Sequence, residues 1–296
     1  MRVDIAFITA SYNTLEYVKQ MADFFQRLDA PFTFSFTVVD NNSVDGSQEY
    51  LRNEPGIDYI QTGTNLGYGR AINLGVAATE SKYVCVTNTD VSLNRDTLVT
   101  LWQFLENRVD VGICAPRLTY ADGRTQGMLF YASLFSSYAT WYGKFRAWRA
   151  KRKLEKASEP LNVEGVMGAF FLMRRSVIPG QTLFDEDFFF YHEDTALAHA
   201  MKNSGVKCFV LPGVSVVHLG GKSSSEKSIA LFYASKYLYL RKFYGPVHAS
   251  AVRFLDRLRI VRKMYFYRLL DSVGHSEKAK SKRRYYEVAW KSKSLG

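Results

Sequence analysis

A mainly apolar run, broken only by Asp4 and Thr9, spans positions 3–10 and stops at Ser11-Tyr12-Asn13, after which positions 15–28 carry their apolar residues at helical spacing. A short continuous run predicts a buried strand, and the spacing that follows predicts an amphipathic helix packed beside it. The couplet then repeats. Positions 34–39 predict a strand ending at Asp40, with a helix to follow that Ser43 or Asp45 would cap. Positions 57–60 read as a short strand and 71–78 as a helix; 83–87 read as a strand ending at Asn88-Thr89-Asp90, 96–107 as a helix, and 111–115 as a strand stopped by Pro116. Strands and helices alternating at these lengths predict an α/β fold with a mostly parallel, Rossmann-like sheet covered by helices. Such sheets bind ligands at the carboxyl ends of their strands, which is where the polar clusters fall.

Positions 138–160 interrupt the pattern with Trp141, Trp148 and a basic run over 144–156, read either as a solvated excursion or as a surface for acceptor or membrane. Order resumes with an apolar, glycine-containing stretch at 163–173. A helix follows at 195–203 with Gly205 as its C-terminal cap, then strands at 206–211 and 214–217. Beyond Gly220-Gly-Lys-Ser-Ser-Ser the spacing predicts two or three amphipathic helices, with a loosely held end from Ser276.

Composition sharpens this division. The chain has 296 residues, 47% of them hydrophobic, enough for one large core with a helical appendage. Its net charge of +11 is unevenly placed: positions 227–296 hold 17 Lys and Arg against 4 Asp and Glu, and positions 1–226 hold 22 against 24. We therefore expect a globular domain over 1–226 and a basic amphipathic helical region over 227–296. The basic tail is interleaved with Tyr237-Leu-Tyr-Leu and Met264-Tyr-Phe-Tyr-Arg-Leu-Leu, which suits an anionic membrane surface better than nucleic acid. The competing expectation is that its apolar stripe packs on the globular domain or on a second subunit. Cys85, Cys114 and Cys208 lie inside apolar runs without paired spacing, as reduced core thiols do. Neither a membrane span nor a secretory leader is recognisable, so the expected location is cytoplasmic, peripheral on the inner face of the cell membrane.

The candidate chemistry sits at element ends. Asp40 ends a strand, where a carboxylate can meet a base or ribose or simply cap the next helix. No G-x-G-x-x-G follows the first strand, which disfavours a nicotinamide dinucleotide. Asn88-Thr89-Asp90 offers oxygen ligands to a hard cation bridging a diphosphate, or forms an ordinary turn. His218 ends a strand before a loop that is not a P-loop: either its imidazole completes a metal shell while Lys222 and Ser223 hold phosphate oxygens, or the histidine is structural. Glu193-Asp194 opens a helix behind Phe188-Phe-Phe-Tyr-His, where acids suit the helix dipole and where burial would make one a general base.

Taken in order, several motifs resemble the inverting family-two glycosyltransferases, most nearly their bacterial rhamnosyltransferase-like branch, over residues 3–245. They are Thr9-Ala-Ser-Tyr-Asn, Val38-Val-Asp-Asn-Asn-Ser-Val-Asp-Gly-Ser, Asn65-Leu-Gly-Tyr-Gly-Arg-Ala-Ile-Asn-Leu-Gly, Asn88-Thr-Asp, Gly168-Ala-Phe-Phe-Leu-Met-Arg-Arg, Phe184-Asp-Glu-Asp-Phe-Phe-Phe-Tyr-His-Glu-Asp and His218-Leu-Gly-Gly-Lys-Ser. The resemblance implies a GT-A fold, a nucleoside-diphosphate sugar donor (dTDP-rhamnose first, a UDP-sugar second), a glycan or lipid-linked acceptor, and Mg or Mn. It places Ala10, Tyr12 and Asp40 around the base, Asn65, Gly67 and Arg70 near ribose and diphosphate, Asp90 and His218 on the metal, and Asp194 as the base. The chain departs from it at Asn88, where the D-x-D motif has its first acid, and at Ala196, where an acid is frequent. Two rival readings are a nucleotidyltransferase and a membrane-binding protein with a decayed site; a homo-oligomer is left open.

Overall fold

A computed structural model describes residues 2–127, 134–180, 182–220, 226–274 and 277–291. The chain opens with β1 (Val3–Ser11), α1 (Leu15–Gln26), β2 (Phe34–Asp40), α2 (Ser47–Asn53), β3 (Asp58–Gln61), α3 (Tyr68–Ala77) and β4 (Ser81–Thr87). There follow β5 (Val91–Ser92), α4 (Arg95–Asn107), β6 (Val111–Thr119), α5 (Leu134–Tyr138), α6 (Thr140–Lys156), β7 (Leu161–Val163), β8 (Phe170–Arg174), α7 (Glu193–Asn203) and β9 (Lys207–His218). Three helices end it: α8 (Glu226–Tyr244), α9 (Pro246–Gly274) and α10 (Glu277–Lys291).

Among the described residues nine strands form one sheet in the order β3-β2-β1-β4-β8-β6-β9-β5, with β7 also on β9. Strands β3, β2, β1 and β4 run parallel to one another, and β6 runs parallel to β9. Strand β8 is inserted antiparallel between β4 and β6, while β5 and β7 pair antiparallel with β9. The core forms where the apolar runs meet: Phe7 and Ile8 of β1 are fully buried, and Phe25 of α1 stacks on Phe36 of β2 at 4.2 Å. Helix α3 comes unusually close to β1 because position 75 is glycine; a Cβ there would lie 2.4 Å from Cγ2 of Ile8. The three cysteines are buried and free.

Four sequence expectations need correction. Strand β6 does not stop at Pro116, because a shift of register between Pro116 and Arg117 lets the strand resume past a residue that cannot donate. The strands expected at 206–211 and 214–217 are one strand, β9, which takes up that same irregularity opposite Pro116. Helix α2 has Gly46, at φ +92°, as its N-cap; Asp45 accepts from the Ser47 amide, while Ser43 turns to Asp40. Residues 277–291 of the end expected to be loose are ordered: α10 packs on α9, with Tyr286 stacked on Tyr267 at 5.8 Å and Lys263 donating to the Tyr286 hydroxyl at 2.9 Å. Gly205 ends α7 as expected, at φ +70°, with its amide donating to the Lys202 carbonyl.

The chain divides into two compact units. The first comprises described residues within 1–132, 144–189 and 193–220, and the second those within 133–143, 190–192 and 221–296. The second unit thus gathers two short segments besides the basic tail, for stated reasons. His248 bonds the Tyr138 hydroxyl at 2.8 Å, and Arg259 donates to the Ser137 carbonyl. Ser235 of α8 donates to the Phe190 carbonyl at 2.7 Å, and Tyr239 stacks on His192. No helix among the described residues is long and apolar enough to cross a membrane.

Candidate active site

The first unit brings Asp90 and His218 together through a strand too short to read from sequence. Val91 of β5 pairs with His218 of β9, which sets Oδ1 of Asp90 3.4 Å from Nε2 of His218. The Gly220 amide donates to Oδ2 of Asp90 at 3.1 Å. Burial alone would raise the Asp90 carboxyl, but the hydrogen bond and charge of His218 and the Gly220 amide outweigh it and hold the group below its ordinary range.

Gln126 fixes the other side of the imidazole. Its amide nitrogen donates to the carbonyls of Thr119 and His218, so Oε1 must face Nδ1 of His218, 2.9 Å away, and that nitrogen must carry the hydrogen. In the neutral ring a bare Nε2 then faces a carboxylate oxygen. A second proton or a cation between them resolves the repulsion. Two residues before Asp90 in the chain, Oδ1 of Asn88 is buried without a hydrogen-bond partner. A carboxylate, an imidazole nitrogen held by an outer partner and an orphaned amide oxygen fit a hard divalent cation. Among the described residues no three His, Cys, Asp or Glu side chains cluster to hold a metal ion.

The second half of the site is the Glu193-Asp194 pair at the start of α7. Strand β8 runs against its neighbours, so its first residues arrive at the edge where β4 ends. The Ala169 carbonyl accepts from the Asn88 amide at 2.8 Å, the Gly168 amide donates to Oδ2 of Asp194 at 3.1 Å, and the Gly168 carbonyl accepts from the Tyr68 hydroxyl at 2.7 Å. One dipeptide therefore ties the Asn88 turn to the acidic pair. The Tyr68 hydroxyl is pushed well above its ordinary range by burial and then by the carboxylates of Glu193, Asp194 and Asp90, which puts the phenol among all three acids.

Burial and the neighbouring Asp194 raise the Glu193 carboxyl to about 8, and its Oε2 has no hydrogen-bond partner. Burial also raises Asp194, opposed by the amides of Gly168 and Thr195 and by the Thr195 hydroxyl. The donors around Asp194 favour its charged form, whereas burial and the neighbouring acid favour the protonated form of Glu193.

The remaining expected residues line the ends of β1, β2 and α3. Ala10 and Ser11 run beside Val39 and Asp40, and Tyr12 is 51% exposed just beyond. Asp40 is fully buried and accepts from both the amide and the hydroxyl of Ser43; it does not cap α2, whose N-cap is Gly46. Asn65 accepts from the Gly67 amide, and Arg70 donates to the Glu186 carbonyl. Lys222 and Ser223 lie outside the described residues. Sequence reasoning missed Gln126, Tyr68 and Asn41, whose amide ties β2 to the α3 loop through Leu66 and Gly67.

Comparison with known proteins places the chain in a family. The sequence profile described as "Glycosyl transferase family 2" matches residues 6–179. The N-acetylglucosaminyl-diphospho-decaprenol L-rhamnosyltransferase of Mycobacterium tuberculosis strain H37Rv is 26% identical over 70% of this chain and 74% of its own length. The low-salt glycan biosynthesis hexosyltransferase Agl10 of Haloferax volcanii is 23% identical over 73% of this chain and 67% of its own. Among solved structures, the mannosyltransferase PcManGT of Pyrobaculum calidifontis, in complex with GDP-Man and Mn2+, superposes with a TM-score of 0.59 at 14% identity over 98% of this chain and 86% of that one. GalNAc-T7 with UDP, GalNAc and Mn2+ gives 0.57 at 14% identity over 82% and 50%. The sheet is that of the GT-A glycosyltransferases, and with the profile covering more than half of its length this chain belongs to glycosyl transferase family 2.

Proposed function

We propose that the chain transfers a sugar, rhamnose first among the candidates, from a nucleoside-diphosphate donor to a hydroxyl of a glycan or lipid-linked acceptor, with inversion at the anomeric carbon. The preferred donor is dTDP-rhamnose and the second a UDP-sugar. The mycobacterial relative, named for a rhamnosyl transfer to a diphospho-decaprenol-linked sugar, supports rhamnose as the sugar and a lipid-linked acceptor. One observation carries the reading: a buried pair of acids in which Asp194 is pinned by the Gly168 amide while Glu193 is raised to about 8.

Asp194, as the anion of the pair, takes the acceptor proton while the hydroxyl oxygen forms its bond to the anomeric carbon and the bond to the diphosphate oxygen breaks. Glu193 stays protonated and keeps a second negative charge away from the incoming oxygen. Tyr68 holds the Gly168 peptide, and through it the direction of the Asp194 carboxylate. Ala10, Tyr12 and Asp40 form the floor for the base, with Asn65, Gly67 and Arg70 toward the ribose and diphosphate. Asp90 and His218 would hold Mg or Mn, which supplies charge to the departing diphosphate.

The test is sugar transfer from dTDP-rhamnose to an N-acetylglucosaminyl-diphospho-polyprenol, followed as dTDP release. Asp194→Asn keeps the shape and loses the proton acceptor, so turnover falls by ~100-fold or more while nucleotide affinity is retained. Wild-type turnover in that variant would move the base to another group.

A further inference from the structure

Helix α9 carries a strip of apolar side chains on its solvent side. Val247, Phe254, Leu258, Tyr265 and Leu269 follow at intervals of seven, four, seven and four residues, and each is between 53% and 77% exposed. At about 100° per residue these intervals keep the side chains close to one line along the helix. The opposite side packs inside the second unit, with Val252 and Ile260 buried. A continuous apolar strip of this kind is unlike the single exposed apolar residues of ordinary surfaces.

Charge decides what covers it. Exposed Arg257 and Arg268 fall on one flank of the strip and exposed Arg262 on the other. The acids of α9 are Asp256 and Asp271, and neither faces the strip. Asp256 is 5% exposed and held by Lys236, Tyr237 and Arg259; Asp271 is held by Arg283. A second copy laid face to face would set arginine against arginine with no carboxylate of α9 between them. An anionic lipid surface satisfies both features: the apolar strip enters the acyl boundary and the guanidinium groups stay with the lipid phosphates. We propose that α9 lies along an anionic bilayer through the Val247, Phe254, Leu258, Tyr265 and Leu269 strip. The inference rests on the lipid-linked acceptor reading for its purpose, since a surface-bound enzyme meets such an acceptor in place, and on α9 alone for its geometry.

The experiment is sedimentation of the full chain with phosphatidylcholine vesicles and with phosphatidylcholine–phosphatidylglycerol vesicles, across a salt series. Two variants are compared, Phe254→Ser/Leu258→Ser/Leu269→Ser and Arg257→Gln/Arg262→Gln/Arg268→Gln, with helicity checked by circular dichroism and dTDP affinity by calorimetry. The expected result is binding to the anionic vesicles that weakens with salt and falls by roughly tenfold or more in each variant, with dTDP affinity unchanged. Unchanged dTDP affinity separates this outcome from a failure of the donor site. Variants that bind as the wild type does would overturn the proposal. So would a wild type that ignores vesicles and sediments as a dimer which the serine variant splits, assigning the strip to a second copy.

Discussion

Glu193 is held in a state that its free side chain would not adopt at neutral pH. Its carboxyl titrates near 8 in the folded chain against an ordinary 4.5. Between those values the folded chain keeps a proton that the unfolded chain has released, so this group's contribution to stability is present at low pH and is lost as pH rises toward 8. Glu193→Gln has no proton to lose. Its melting temperature relative to the wild type is expected to climb from about pH 5 to about pH 8 and then level; an offset that stays constant across that range would contradict the buried, protonated assignment. The acidic pair itself was legible in sequence because acids at a helix start behind aromatic residues suggest both capping and burial. Gln126 was not. An uncharged glutamine has no chemistry of its own, and its role comes from a hairpin: Gly123, at φ +80°, turns the chain after Tyr120, and the Gln126 amide returns to the Leu118 carbonyl. The Asp122-Gly123 dipeptide was the available signal, and reading β6 as ended at Pro116 hid it.

At the scale of elements, the site is assembled by the strands that break the parallel pattern. Hydrophobic runs reveal that a strand exists, but not its direction, and β8 looks from sequence like any other buried run. Only its antiparallel insertion between β4 and β6 delivers Gly168 and Ala169 to the edge where Asn88 and Asp194 meet them. Strand β5 has only Val91 and Ser92, below the length at which periodicity carries information, yet its pairing sets the distance between Asp90 and His218. The parallel half, by contrast, followed directly from the alternation of apolar runs. The start of α3 is the tightest of these joints: Gly67 has φ +87°, and a Cβ there would lie 2.2 Å from the Phe189 carbonyl oxygen. That oxygen accepts from the Tyr68 amide. Gly67→Ala is therefore expected to cost about 2 kcal/mol in urea denaturation and to lower turnover by moving Tyr68. Stability within a few tenths of the wild type would show that the approach is looser than described.

Over the whole molecule, charge and chemistry are separated along the chain. The near-neutral residues 1–226 contain the acids and the histidine of the site, and the excess of positive charge lies in the helices that follow. Composition made that asymmetry plain. It did not foresee that residues 133–143 and 190–192 belong with those helices, since their partners, His248, Arg259, Ser235 and Tyr239, are distant in sequence. Cutting the chain at Asp256 would divide α9 and remove α10 with it, so substitutions on the exposed strip probe the surface more cleanly than truncation does. The central claim is that Asp90 and His218, oriented by Gln126, form a cation-assisted nucleotide-diphosphate site. Its most direct test is calorimetric titration of dTDP and of UDP into the wild type, Asp90→Ala and Gln126→Leu, each with and without Mn. The account predicts Mn-dependent binding in the wild type, its loss in Asp90→Ala, and a weakening of about tenfold in Gln126→Leu. Equal affinity of the wild type and Asp90→Ala in the presence of Mn would contradict it.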